Sequence, residues 1–224
     1  MIKAVIFDLD GTLLNRDESV KHFVNEQYDR LNDYVGHIPN AEYVARFIEL
    51  DMRGYVWKDK VYQKLVNEFN IEGITSEELL QDYIINFKNH CVPFENLMDM
   101  LEDLKRSNLL LGMITNGYGK FQTDNIKALG IEEFFDCILV SEWEGIKKPD
   151  PEIFYRATDK LNIAPNECIF VGDHPENDVY AAESLGMKTI WKKDSQWNKV
   201  NADYTVDNLA EVPLIISELN KQYD

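Results

Sequence analysis

Ile2-Lys3-Ala4-Val5-Ile6-Phe7-Asp8-Leu9-Asp10-Gly11-Thr12-Leu13 is the stretch on which the fold turns. Residues 2–7 are short, apolar and rich in β-branched and aromatic side chains, the pattern of a buried strand. The strand runs straight into two carboxylates, one residue apart, followed by Gly-Thr. Two like charges at a strand end repel each other unless something positive lies between them. The carboxyl ends of strands are also where open α/β sheets place their ligands. The opening residues therefore predict both a parallel sheet and a cation-dependent site at its edge.

Further apolar runs predict more strands: Leu109–Thr115, Cys137–Ser141, Cys168–Asp173 and Lys188–Trp191, with Tyr204-Thr205-Val206 as a weaker edge strand. Helical patterns separate most of them. One runs from Tyr118 to Leu129 and stops at Gly130, a good C-cap residue. Another opens at Asp150-Pro151, with Asp as N-cap and Pro at the first helical position. A third covers Asn177–Leu185. Alternating strands and helices predict an α/β fold, a Rossmann-like parallel sheet with helices on both faces.

One interval breaks that rhythm. About 100 residues separate the first strand from the second, against roughly 30 for a whole βαβ unit. The excess reads as four helices without a strand. Val20, Phe23, Val24, Leu31, Tyr34 and Val35 share one helical face. Val44, Phe47 and Ile48 follow, then Val61, Leu65, Val66 and Phe69. Thr75 with Glu78 forms a capping box before Leu79, Leu80, Tyr83, Ile84 and Phe87. The expectation is an inserted helical cap at residues 16–89, with residues 1–15 and 90–224 forming the α/β core.

The chain has 224 residues and a net charge of −17, with 45% apolar and 28% charged residues. Such acidity argues against nucleic acid and against anionic membrane surfaces as partners. Three cysteines without CxxC spacing suggest a reducing compartment. A strand beginning at Ile2 leaves no room for a signal peptide, and no apolar run approaches the ~20 residues needed to span a bilayer. A cytoplasmic location is expected.

Four predicted strand ends carry polar residues that packing does not ask for: Asp8 and Asp10; Thr115-Asn116-Gly117; Lys148-Pro149-Asp150-Pro151; and Gly172-Asp173-His174-Pro175-Glu176-Asn177-Asp178. If these ends converge, the set suits phosphoryl transfer. Carboxylates such as Asp8 and Asp173 are hard oxygen ligands for Mg²⁺. A carboxylate can attack phosphorus to form an acyl phosphate. A second carboxyl two residues on can protonate the leaving oxygen and later deprotonate water. The Thr115 hydroxyl, N–H groups near Asn116 and the Lys148 ammonium can hold phosphoryl oxygens.

In these motifs and their order, over the whole chain, the sequence resembles the haloacid dehalogenase (HAD) superfamily, in its phosphatase branch with a helical cap after the first motif (type C1). The resemblance implies an Mg²⁺-dependent phosphatase of a small phosphorylated metabolite, working through an aspartyl-phosphate. It implies Asp8 as nucleophile and Asp10 as acid/base that also gives its backbone carbonyl to the metal. It further implies Thr115 and Asn116 as phosphate binders, Lys148 rather than its neighbour Lys147 as the catalytic lysine, Asp173 as metal ligand and Asp178 as acting behind the metal ligands or through water. Haloacid dehalogenases lack the acid that Asp10 provides, so phosphoester chemistry is favoured. The cap type resembles the group of phosphoglycolate phosphatases, pyrimidine 5′-nucleotidases, N-acylneuraminate-9-phosphatases and β-phosphoglucomutases. The rival readings are a phosphomutase and a non-catalytic binding protein of the same fold. His174 reads as a first-turn loop residue and not as a base. Arg53, Trp57, Lys58 and Lys60 read either as a substrate-selecting surface or as a solvated loop and helix start. Neither the physiological substrate nor the oligomeric state is legible.

Overall fold

A computed structural model describes residues 1–221. The chain divides into two compact units, one of residues 1–15 with 93–224 and the other of Arg16–Val92.

The first unit is built on six parallel strands: β1 (Ala4–Phe7), β2 (Leu110–Thr115), β3 (Cys137–Val140), β4 (Cys168–Gly172), β5 (Lys188–Lys192) and β6 (Tyr204–Val206). Their order is β3-β2-β1-β4-β5-β6. The chain steps outward from β1 to β2 and β3, then crosses back to place β4 on the other side of β1. Such a reversal opens a crevice at the carboxyl ends of the central strands. The register pairs Phe7 with both Met113 and Val171, so Asp8 and Asp173 leave the sheet on neighbouring strands. Ile6, Ile114, Leu139 and Phe170 face one side of the sheet and pack with Ile153, Phe154, Ala157 and Leu161.

The second unit is wholly helical: α1 (Arg16–Arg30), α2 (Asn32–Val35), α3 (Asn40–Asp51), α4 (Lys58–Glu68) and α5 (Ser76–Asn86). Thr75 caps α5 with the reciprocal Glu78 bond of a capping box, as the sequence predicts. The first helix is shorter than the apolar periodicity suggests. It stops at Arg30, and Tyr34, expected on its buried face, is exposed. The core of this unit is aromatic, with Phe23 edge-on to Tyr83 and Phe47 edge-on to Tyr62.

The first unit continues with α6 (Leu97–Arg106), α7 (Gly119–Ala128), α8 (Ser141–Glu144), α9 (Pro151–Leu161), α10 (Ala181–Ser184) and α11 (Glu211–Lys221). The Asp150 side chain accepts from Glu152 N–H and caps α9. The helix expected over Asn177–Leu185 is instead a π-helical turn, Pro175–Tyr180, followed by the short α10. The physical reason is local: Pro175 and the His174 cap start the turn early, and wide turns of this type gather at functional sites. No helix among the described residues is long and apolar enough to cross a membrane.

Candidate active site

The turn after β1 is wound around one carbonyl. Leu9 C=O accepts from the N–H groups of Thr12, Leu13 and Leu14. Gly11 lies at φ +86°, and a Cβ there would sit 2.5 Å from an Asp173 carboxylate oxygen. Only glycine provides both the left-handed backbone and the clearance. Thr12 Oγ1 donates to Asp173 Oδ1 at 3.3 Å, and Trp191 Nε1–H donates to the Asp173 carbonyl at 2.8 Å. Glycine, hydroxyl and indole thus hold Asp173 beside the end of β1.

Lys148 is the only cation at the centre of this arrangement among the described contacts. It is 3% exposed. Its Nζ donates to Asp8 Oδ1 at 2.7 Å and to Asp178 Oδ1 at 2.6 Å, and it lies 5.3 Å from the Phe170 ring centroid. Asn116 explains its placement: Asn116 Oδ1 accepts from Lys148 N–H and Asn116 Nδ2 donates to Lys148 C=O, both at 2.9 Å. The peptide bond between Lys148 and Pro149 is cis. Lys147, by contrast, is exposed.

Oxygen atoms of Asp8, Asp173 and Asp178 all lie within 4.8 Å of one another. Their charge is not neutralised by one ammonium. Burial pushes the Asp8 carboxyl up to about 7; Lys148 opposes that rise, while Asp178 and Asp10 add to it. Burial, then Asp8 and Asp178, raise Asp173 well above the usual carboxylate range. Burial works against the Lys148 charge too, but the two carboxylates outweigh it and hold the ammonium above its ordinary range. Two buried carboxylates, Asp8 and Asp178, and the half-buried Asp173 offer hard oxygen donors that fit a small divalent cation.

The second half of the site lies between β1 and β2. Thr115 is fully buried. Its hydroxyl oxygen accepts from Gln122 Nε2 at 2.6 Å, and the same nitrogen donates to Asp10 Oδ2 at 2.7 Å. Gln122 is a site residue that the motif reading misses. Its signal was a buried polar residue on the inward face of α7, one turn before Ile126, where packing alone favours an apolar side chain.

The structure thus brings Asp8, Asp10, Thr115, Lys148, Asp173 and Asp178 to one edge of the sheet. Asn116 is there as well, with its side chain bonded to the Lys148 backbone. His174 is an N-cap: its Nδ1 accepts from Glu176 and Asn177 N–H at 3.1 and 3.2 Å. Burial lowers its pKa, in keeping with an unprotonated Nδ1. In the helical unit Lys58 is neither a surface nor a solvated helix start. It is 2% exposed and paired with Asp51, which also accepts from Arg16 at 2.8 Å. Arg53 pairs with Asp17 at 2.9 Å, Trp57 packs edge-on to Tyr83, and Lys60 lies at the surface near Asp59.

Known proteins share this architecture. A glyceraldehyde 3-phosphate phosphatase of Pyrococcus abyssi is 35% identical over 86% of this chain and 82% of its own length. The N-acylneuraminate-9-phosphatase of Rattus norvegicus is 24% identical over 98% of this chain and 95% of its own. The crystal structure of a HAD phosphatase from Thermococcus onnurineus superposes with a TM-score of 0.68 at 28% identity, covering 96% of this chain and 98% of that one. Residues 5–192 match the model of the haloacid dehalogenase-like hydrolases, and the chain belongs to that family.

Proposed function

We propose that this protein hydrolyses the phosphomonoester of a small metabolite, with Asp8 as nucleophile. The observation that carries this reading is the buried Lys148 ammonium shared by Asp8 and Asp178 beside Asp173. The ammonium binds Asp8 Oδ1, which leaves the other carboxylate oxygen for attack. In the first step that oxygen forms a bond to phosphorus while the ester P–O bond breaks. The departing oxygen takes a proton from Asp10. In the second step water attacks the same phosphorus, Asp10 receives its proton, and the P–O bond to Asp8 breaks.

Thr115, with N–H groups around Asn116, and Lys148 hold phosphoryl oxygens as negative charge shifts among them. Asp8 and Asp173, with the Asp10 carbonyl, are the residues that would hold Mg²⁺, and Asp178 supports them through Lys148 and His174 N–H. When bound, Mg²⁺ supplies charge that offsets the clustered carboxylates and the phosphate. The relatives' names favour a phosphatase over a mutase.

The test is release of inorganic phosphate from 4-nitrophenyl phosphate and from a panel of phosphorylated metabolites, with and without Mg²⁺. Wild type is expected to release phosphate only with the metal, and Asp8→Asn to release none. Retained activity in Asp8→Asn overturns the mechanism, and isomerised sugar phosphate without free phosphate points to a mutase.

A further inference from the structure

We propose that Gln122 is a positioning residue that aims the Asp10 carboxyl at the leaving oxygen and the Thr115 hydroxyl at the phosphoryl group. This rests on the phosphatase reading above. Gln122 is 2% exposed. Its Nε2 carries two hydrogens and has two short acceptors, Asp10 Oδ2 at 2.7 Å and Thr115 Oγ1 at 2.6 Å. The Asp10 carboxylate settles which end of the amide faces the site, because the alternative would set two oxygens against each other.

Two consequences follow from this geometry. Thr115 Oγ1 accepts a hydrogen bond from Gln122 Nε2–H, so its own O–H is left to donate to another acceptor. At a strand end built for phosphate, that acceptor is a phosphoryl oxygen. Asp10 Oδ2 is likewise occupied, so the proton handed to the leaving group must sit on Oδ1. In the first step the ester P–O electron pair takes that Oδ1 proton as the bond to Asp8 forms, and one oxygen of one carboxyl is thereby selected. Gln122 touches neither substrate nor metal in this scheme. It couples the acid of one strand end to the phosphate-binding hydroxyl of the next.

The test is a leaving-group series, because a misaimed acid matters most when the departing oxygen is basic. For Gln122→Met, similar in shape but with no N–H donor, kcat/KM is measured with Mg²⁺ on aryl phosphates from 4-nitrophenyl to phenyl. The ratio between the good and the poor leaving group is expected to rise by about 10-fold over wild type, part of the 10²–10⁴-fold typical of general acid catalysis. Gln122→Glu, equal in size to glutamine, is expected to show the same rise and decides the matter if the methionine variant does not fold. An unchanged ratio in a folded variant overturns the proposal, whatever the absolute loss, since a structural defect slows all leaving groups alike. A wild-type enzyme that releases phosphate from neither the aryl phosphates nor the metabolite panel overturns the phosphatase reading instead.

Discussion

Asp82 in the helical unit and Asp8 in the α/β unit are both carboxylates held by a cation, yet their acidities move in opposite directions. Asp82 accepts from Arg30 twice, from Gln27 and from Asn86, at 2.8 to 2.9 Å. Burial works against its charge, but these donors hold the carboxyl below its ordinary range. Asp8 has one ammonium, shared with Asp178, and faces two further carboxylates; it rises to about 7. The helical unit meets its buried charge with donors, and Asp51 between Lys58 and Arg16 follows the same rule. The α/β unit leaves carboxylates in excess. A buried ion pair does not mark a site; an unmet balance of charge does.

Asp8→Asn gives the largest expected effect. Turnover falls by at least about 10⁴-fold, as for other nucleophile deletions, while the metal-free melting temperature holds or rises because a like-charge contact is lost. A variant that both unfolds and loses activity would place Asp8 with Asp82, as a structural carboxylate. Lys148→Met comes next. It leaves Asp8 and Asp178 facing each other in a dry site, at a cost on the order of 3–5 kcal/mol in denaturant unfolding, and added Mg²⁺ recovers part of it. Equal stability with and without Mg²⁺ in this variant would show that the three carboxylates do not form a cation site.

Mg²⁺ itself is expected to raise the melting temperature, by the equivalent of about 2.7 kcal/mol at a hundredfold excess over its Kd. The gain depends on pH. Between the ordinary value of 3.8 and about 7 the folded, metal-free protein keeps an Asp8 proton that the unfolded chain has released. Metal-free stability therefore falls as pH rises through that window. Below about 7 the metal must displace the proton, so its affinity weakens about tenfold per pH unit. A thermal shift equal at pH 5.5 and pH 8 contradicts this. Asp82→Asn has the smallest effect, about 1–2 kcal/mol at pH 7 from weakened charge-assisted hydrogen bonds, with activity per folded molecule unchanged. Here the sign is opposite: the stabilisation is full above the ordinary carboxylate pKa and is lost as pH falls through the lowered value. The gap between variant and wild type should close on acid titration.

Much of this was legible before any coordinates. Parallel strands, the Thr75 capping box and the Asp150-Pro151 helix start are local features, decided by a few neighbouring residues. The break after Arg30 was not, since Leu31 and Val35 continue the apolar period while the backbone at Leu31 (φ −103°, ψ 22°) leaves the helical range. The π turn at Pro175–Tyr180 escaped for a related reason: a wide turn has almost the same periodicity as an α-helix over six residues. Asn116 is expected from its place in a motif to bind phosphate, but nothing in that motif announces that its side chain also clamps the Lys148 backbone, 32 positions away.

The division between chain and fold is sharpest at the acids themselves. The order of residues was enough to say that Asp8, Asp10 and Asp173 stand at strand ends, because strand ends are set by local apolar runs and turn residues. Which of them meets a lysine or a glutamine was decided only in three dimensions. Lys148 is 140 positions from Asp8, and Gln122 is 112 from Asp10. Such pairings depend on strand order and helix docking, and no local pattern encodes distances across a sheet.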